Sequence, residues 1–250
     1  NVTFKTVITS ANEVIAIDGY NYSSASATSI TVGTGSNVIN LYYTKRTDLS
    51  YTVNYLEKDT NKVIHTVKTQ GGKTFEDIVK SADEKIAIDG YNYNSASATS
   101  ITIGTDSNVI NLYYTKRMDL SYKVNYLEKG TNKVIRTQKS KGGMTFQATV
   151  TSASEKVAIN GYNYDSADVA SITIGTGENV INLYYTKRTD LSYTVNYLEK
   201  GSNTKLHEPK TVSKMTFEST VTSSTEKIAI DGYNYDSAEK EAITIGTGSN

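Results

Sequence analysis

Several residue types that commonly stabilise a domain or equip it for chemistry are scarce or missing in this chain. It has no cysteine, no tryptophan, one proline and four phenylalanines among 250 residues. The lack of cysteine excludes disulfides and thiolate metal sites. The formal net charge is zero, which argues against nucleic acid as a partner, because binding it requires a basic surface that displaces counterions.

Tyrosine, by contrast, is abundant, with 20 copies. Together with many threonines, serines and asparagines, it gives a composition typical of half-buried strands. The sequence shows no initiator methionine, signal peptide, membrane span or wall-anchoring tail. Since the repeat described next is broken at both ends, we expect the chain to be part of a longer protein, and these absences exclude little.

The nonapeptide VINLYYTKR organises the chain, because it occurs unchanged at 38–46, 109–117 and 180–188. Its copies are 71 residues apart, since 109 − 38 = 71 and 180 − 109 = 71. A constant period in this range indicates an array of small modules. The predicted modules are partial module 1 (1–46, without its N-terminal hairpin), module 2 (47–117), module 3 (118–188) and partial module 4 (189–250, without its last strand).

Module 2 shows the strand pattern of one repeat. Apolar and polar residues alternate over 50–57, which predicts a strand, and 62–69 is expected to return as the second strand of a hairpin. Gly71 and Gly72 break the pattern. Further short strands are predicted over 85–88, 100–103 and 108–115, and the small polar stretch 94–99 is predicted to be a loop.

One short helix per module is also expected. Phe75, Ile78, Val79 and Ala82 have the i, i+3, i+4, i+7 spacing of one helical face over residues 74–82. Thr74 is in position to cap this helix, with residue 77 reaching back. The segment is rich in β-branched residues, which are poor helix formers, so an extended or irregular segment is the alternative.

The predicted fold class is therefore α+β and β-rich. We expect tandem β-grasp-like modules, each a mixed sheet covered by one short helix, with the last strand beside the first. Parallel first and last strands would let the chain enter each module at one end and leave at the other, so the array would be an elongated rod. The expected core of module 2 is Val53, Tyr55, Phe75, Val79, Ile86, Ile88, Tyr91, Ile101, Ile103, Ile110, Leu112 and Tyr114.

Nothing in the sequence predicts a catalytic residue, a metal site or a cofactor. The two histidines, His65 and His207, occupy equivalent repeat positions, and Arg136 stands at the position between them. Exchange with arginine indicates a solvated surface position rather than a base or a ligand. The oxygen-rich run from Asp89 to Asn94 is interpreted as a turn rather than a Ca²⁺ loop, and a Lys–Asn isopeptide bond is a minor alternative.

The best binding candidates lie on the face of the sheet opposite the core. Tyr113 is expected there beside Asn111, with Asn54 on the adjacent strand. A tyrosine flanked by amides offers a sugar a stacking plane and fixed hydrogen bonds. The same glycan-binding position would recur as Tyr42 and Tyr184. The alternatives are a solvated sheet face or a surface covered by the neighbouring module.

Module 2 resembles the MucBP (mucin-binding protein) domain of Gram-positive surface proteins. The resemblance is carried by YTVNYLEKDTNKVI at 51–64, the following glycine pair, IDGYNY at 88–93 and the closing VINLYYTKR. It extends over both complete modules and the two partial ones. It implies a secreted, extracellular protein attached to the bacterial cell wall that contacts host mucin or other glycans.

Three functional hypotheses follow. The first is an adhesin whose repeats bind host mucin-type glycans or glycoproteins weakly and multivalently. The second is a structural spacer that presents a distal domain, and the third is a non-catalytic appendage of a secreted enzyme. Besides the glycan, the expected partners are the neighbouring modules of the same chain, with no nucleic acid and no membrane insertion of this segment. An enzyme within these residues is not expected.

Overall fold

A computed structural model describes residues 1–250, which form two compact units at 1–117 and 118–250. Both units consist mainly of β-strands, and neither contains an α-helix. The strands of the first unit are β1 (Val7–Thr9), β2 (Tyr20–Ala25), β3 (Ser29–Thr31), β4 (Leu41–Lys45), β5 (Leu49–Glu57), β6 (Lys68–Lys73), β7 (Ile78–Lys80), β8 (Tyr91–Ala96), β9 (Ser100–Thr102) and β10 (Val109–Lys116). Those of the second unit are β11 (Leu120–Glu128), β12 (Val134–Met144), β13 (Thr149–Thr151), β14 (Tyr162–Ala167), β15 (Ser171–Thr173), β16 (Val180–Lys187), β17 (Leu191–Leu198), β18 (Lys205–Met215), β19 (Thr220–Thr222) and β20 (Ala242–Thr244). Four-residue 3₁₀ helices follow β1, β7, β13 and β19, at Ser10–Glu13, Ser81–Glu84, Ser152–Glu155 and Ser223–Glu226.

Modules 2 and 3 each contain one mixed four-stranded sheet. The strand order is β6-β5-β10-β8 in module 2 and β12-β11-β16-β14 in module 3. The prediction that the last strand of a module lies beside the first is confirmed, and this central pair is parallel. The outer pairs are antiparallel. The remaining strands of each complete module form a separate antiparallel pair, β7-β9 or β13-β15.

Alternation along the central strands sets the core. In β5, Tyr51, Val53 and Tyr55 are buried, and the residues between them are partly exposed, because successive side chains of a strand point to opposite faces. Val79 from β7 and Ile103 after β9 pack against this inner face. The core residues expected from the sequence all lie in this cluster or pack against it.

The expected helix over 74–82 is wrong, because the chain turns there instead. Glu76 has a φ of 68°, which is outside the helical region. Its N–H donates to the carbonyl of Ile103 (2.8 Å), and the N–H of Phe75 donates to the carbonyl of Arg46 (2.9 Å). These donors therefore serve contacts with distant segments. The same positive φ recurs at the equivalent residues Lys5, Gln147 and Glu218.

An extended segment follows the turn, as the alternative prediction had it. Ile78, placed on the helical face by its spacing, is 69 % exposed on β7, whereas its neighbour Val79 is buried. Asp77 does reach back to the N–H of Thr74 (2.8 Å), but within a turn rather than a helix cap. The inner face of the sheet is thus covered by a strand pair and a 3₁₀ turn, which replaces the helix of the expected β-grasp-like module.

Three other segments also differ from the predicted strands and loops. The return strand of module 2 is β6, so Gly71 and Gly72 lie inside a strand rather than ending one, and Gly72 accommodates an irregular register with a φ of 70°. No strand forms over 85–88. The stretch 94–99, expected to be a loop, begins within β8.

In the first unit, a phenylalanine joins partial module 1 to module 2. The ring of Phe75 packs edge-on against Tyr20, with centroids 5.5 Å apart. Gly19 lies against the same ring with a φ of 77°, and a Cβ atom there would stand 2.4 Å from ring carbons. Lys45 and Glu76 add an ion pair of 2.7 Å. The ring therefore occupies space that only a glycine leaves free.

The second unit repeats this junction between modules 3 and 4. Phe217 packs against Tyr162 at 5.5 Å, and a Cβ on Gly161 would lie 2.4 Å from its ring. Lys187 and Glu218 form the equivalent ion pair at 3.0 Å. We call this arrangement of glycine, tyrosine and phenylalanine the junction contact.

Candidate functional site

The candidate site lies on the outer face of the sheet, which is the side turned away from the core. In module 2 the parallel register places Asn54 opposite Asn111 and Leu56 opposite Tyr113. On its other side Tyr113 is paired with Ser95 of β8. The structure therefore brings together Asn54, Asn111 and Tyr113, as the sequence predicted, and leaves each of them partly exposed.

Asn54 and Asn111 form an amide pair across the central strands. The Nδ2 group of Asn54 donates a hydrogen bond of 2.8 Å to Oδ1 of Asn111. No side chain of the protein bonds Oδ1 of Asn54 or Nδ2 of Asn111. One acceptor and one donor thus remain available next to the ring of Tyr113, which is the combination that a sugar hydroxyl requires.

Module 3 has the same pair in a different state. Asn125 donates to Asn182 over 2.8 Å, but Gln138 Nε2 donates to Oδ1 of Asn125 (2.6 Å) and Asp168 Oδ2 accepts from Nδ2 of Asn182 (2.8 Å). Tyr184 lies on this face at the position equivalent to Tyr113. Oδ1 of Asn125 and one N–H of Asn182 Nδ2 are therefore engaged by side chains of the module itself.

Tyr42, the third predicted position, lies on β4 and is 52 % exposed. Its strand pairs only with β2, opposite Ser24. It has no asparagine on a parallel neighbour, so the structure does not complete the predicted site around this residue.

Charge also distinguishes the two complete modules. The outward positions of β5 from Thr52 to Leu56 and of β10 from Val109 to Tyr113 carry no charged side chain. In module 3 Lys123 replaces Thr52 and pairs with Glu178 at 3.2 Å. The outward positions of the two central strands are therefore neutral in module 2, whereas those of module 3 include a lysine.

A glutamate that recurs at the same position in every copy is buried in modules 2 and 3, which was not predicted from the sequence. Glu84 is 7 % exposed and accepts hydrogen bonds from Tyr51 Oη (2.7 Å) and Lys68 Nζ (2.6 Å). Tyr122, Glu155 and Lys139 form the same cluster in module 3, and Tyr193, Glu226 and Lys210 form it in module 4. A usable signal was present, since glutamate occupies this repeat position in every copy while the preceding residue varies.

The environment of Glu84 stabilises its ionised form. Burial acts to raise the pKa of the carboxyl, but the hydrogen bonds from Lys68 and Tyr51 outweigh this effect and hold the pKa below its usual range. Burial and the bond to the carboxylate raise the pKa of Tyr51. The cluster connects the first hairpin to the 3₁₀ turn, and its polar atoms bond one another, so it stabilises the fold rather than presenting a reactive group.

The two histidines lie on the surface, as expected. His65 and His207 are exposed, and each packs edge-on against a tyrosine of its own module at 5.3 and 5.5 Å. Arg136, their counterpart in module 3, lies over Tyr126 at 5.7 Å. No group of three or more histidine, aspartate or glutamate side chains has the arrangement of a metal site.

No protein-family model matches the chain, and no curated protein matches it. Among solved structures, the crystal structure of Mub-RV covers 56 % of this chain and 98 % of its own, with 13 % identity and a TM-score of 0.23. Domains 3–4 of the Streptococcal High Identity Repeats in Tandem (SHIRT) from a cell surface protein cover 55 % and 98 %, with 11 % identity and a TM-score of 0.22. Similarity at this level carries no functional argument. None of its helices has the length and apolarity of a membrane span.

Proposed function

We propose that this chain is part of an extracellular repeat array, an adhesin of the MucBP type attached to the cell wall of a Gram-positive bacterium. Its modules contact host mucin-type glycans or glycoproteins, and they carry no catalytic site. The observation that supports this proposal is the open amide pair of Asn54 and Asn111 beside Tyr113. An aromatic plane next to a free donor and a free acceptor is the chemistry by which proteins bind sugars.

Such a site is shallow, so a single contact is weak. An array compensates because a second site on the same chain meets its ligand at a high effective concentration, which raises the overall affinity without new contacts. Repetition of the module along the chain fits this mode of binding.

Retention of the full chain on immobilised mucin and on a glycan array tests the proposal. We expect the double variant Tyr113→Ala, Tyr184→Ala to lose at least about tenfold in retention, which corresponds to roughly 1.4 kcal/mol. Tyr235→Ala is the matched control, because Tyr235 is 51 % exposed but lies outside the two outer faces, and its removal should leave retention unchanged. If the wild-type protein binds neither the immobilised mucin nor the glycan array, the adhesin hypothesis is wrong.

The spacer hypothesis has its own supporting observation, the junction contact. Phe75 and Phe217 fill spaces that glycines leave, and ion pairs lie beside both rings. A fitted contact of this kind restricts bending between consecutive modules, as a stalk requires. If wild type and the tyrosine variants alike fail to bind glycans, the spacer, or the appendage of a secreted enzyme, replaces the adhesin.

A further inference from the structure

The amide pairs of modules 2 and 3 differ in a way that divides the modules into two kinds. We propose that module 2 is the glycan-binding module of the two and that module 3 is closed by its own side chains, Gln138 and Asp168. This inference rests on the proposed function, and it identifies which modules bind and what kind of sugar they take.

On the donor side, the two modules differ in the number of oxygen atoms that the residue beside the asparagine offers. In module 3, Asp168 uses Oδ1 to accept from the backbone N–H of Asn182 (3.0 Å) and Oδ2 to accept from its Nδ2 (2.8 Å). Ser97 holds the equivalent position in module 2, and its one oxygen accepts from the backbone N–H of Asn111 (3.0 Å). A hydroxyl has no second oxygen, so Nδ2 of Asn111 is left for a ligand.

The acceptor side differs for a similar reason. Gln138 reaches Oδ1 of Asn125 over 2.6 Å from the neighbouring strand β12. Val67 stands at the equivalent position in module 2 and has no polar group, so Oδ1 of Asn54 receives no bond. Two substitutions, one on each side of the amide pair, therefore separate the open state from the closed state.

The open site selects a neutral sugar. Oδ1 of Asn54 requires a hydrogen-bond donor, and an ionised carboxylate or sulfate has none to offer. A sugar hydroxyl donates and accepts at once, so it matches the free acceptor and the free donor of the pair. The outward positions of the two central strands carry no charge, so neither strand supplies a cation to an acidic sugar beside the amide pair. The expected ligand is a neutral hexose or N-acetylhexosamine of a glycan chain.

Exchange of the closing residues between the modules tests this inference in the full chain. The closing variant combines Val67→Gln with Ser97→Asp, and the opening variant combines Gln138→Val with Asp168→Ser. Each new residue already occupies that position in the other module, so the fold is expected to accept it. Asp59→Gly is the matched control, because it also copies a residue of module 3, Gly130, into module 2, but in a turn away from the site.

Calorimetric titration with galactose-terminated and N-acetylhexosamine-terminated oligosaccharides gives affinity and stoichiometry. We expect wild type to bind about one glycan per chain, the closing variant to bind at least about tenfold more weakly, the opening variant to bind about two, and Asp59→Gly to match wild type. Sialylated and sulfated counterparts, in which the terminal sugar is acidic, should bind at least about tenfold more weakly than the neutral ones.

The outcomes separate the two proposals. If wild type binds glycans but the closing variant binds equally well, or the opening variant adds no site, the division into open and closed modules is wrong while the adhesin stands. Preference for the acidic oligosaccharides overturns the assignment of the ligand. Absence of binding by wild type and the opening variant overturns both proposals.

Discussion

The hydroxyl of Tyr51 donates a 2.7 Å hydrogen bond to Oε1 of Glu84, a residue that is 7 % exposed and lies 33 residues further along the chain. Lys68 completes the site by pairing with the second carboxylate oxygen at 2.6 Å. The three residues come from β5, β6 and the 3₁₀ turn after β7. A buried charge needs such partners, since an unpaired carboxylate in the interior would be strongly unfavourable. The cluster therefore fixes the hairpin against the rest of the module.

We predict that Glu84→Gln destabilises module 2 locally. The amide keeps the shape of the side chain but loses the charge that strengthens both hydrogen bonds, at a cost of about 1.5–3 kcal/mol. Hydrogen exchange followed by mass spectrometry should show roughly 10- to 100-fold faster exchange in peptides from β5 and β6. The corresponding peptides of module 3 retain Glu155 and serve as the internal reference.

Glu178→Gln is the matched control for this substitution. Glu178 forms an ion pair with Lys123, but its side chain is 71 % exposed, and exposed pairs contribute little to stability. The hydrogen-exchange rates of the Glu178→Gln variant should stay near those of wild type. Equal effects of the two substitutions would show that the buried cluster does not stabilise the hairpin.

The same cluster predicts a loss of stability in acid. The pKa of Glu84 and that of Glu155 are held below their usual range in the folded state, because the bonds from lysine and tyrosine outweigh the effect of burial. An unfolded glutamate has a pKa of about 4.3. The stabilisation is therefore complete above that pH and is lost as the pH falls through the folded pKa, where the unfolded state binds more protons.

Urea unfolding between pH 7 and pH 2.5 checks the sign of this effect. The wild-type midpoint should fall below about pH 4.3, whereas the double variant Glu84→Gln, Glu155→Gln starts lower and changes less. The two curves should approach each other in acid. Parallel curves over the whole range would mean that these glutamates are not responsible for the acid sensitivity.

The junction contact predicts that Gly161→Ala displaces Phe217. A positive φ of 79° alone costs an alanine about 1–2 kcal/mol, and the added methyl group would stand 2.4 Å from the ring. The N–H of Phe217, which donates to the carbonyl of Arg188 at 2.8 Å, should lose protection from hydrogen exchange. Nuclear Overhauser contacts between the rings of Tyr162 and Phe217 should weaken.

Gly177→Ala provides the comparison for this prediction, because no atom lies within 4 Å of the position that its Cβ would take. Exchange at Phe217 should be unaffected there. Unchanged protection in Gly161→Ala would mean that the ring and the glycine do not constrain each other in solution, and the spacer hypothesis would lose its structural support.

The strands and the core were predictable because they depend on the alternation of residues that are close together in the sequence. Tyr51, Val53 and Tyr55 alternate with polar residues, and alternation of this kind is typical of a sheet with one buried face. The helix failed for the opposite reason. Phe75 and Ile78 have helical spacing, but the N–H of Phe75 bonds Arg46 of the preceding module, a contact that a local pattern cannot show.

The candidate site was predictable only in part. Sequence placed Tyr113, Asn111 and Asn54 on one face, and the structure agrees. The sequence did not show that the side chains of Asp168 and Gln138 hydrogen-bond the equivalent amide pair in module 3, although it does show that both residues differ from their counterparts in module 2. The effect of these two differences on the site depends on which side chains lie next to each other across the sheet.

The sequence by itself determined the 71-residue repeat, the central strands and the residues of the inner face, because periodicity and alternation are properties of residues close together in the chain. Only the tertiary structure decided how Glu84 is buried, where Phe75 packs and whether an amide pair is open. Those features join groups that are far apart in sequence, 33 residues for Tyr51 and Glu84 and 57 for Asn54 and Asn111. Contacts of that separation form only when the chain folds back and sets the register of its parallel strands.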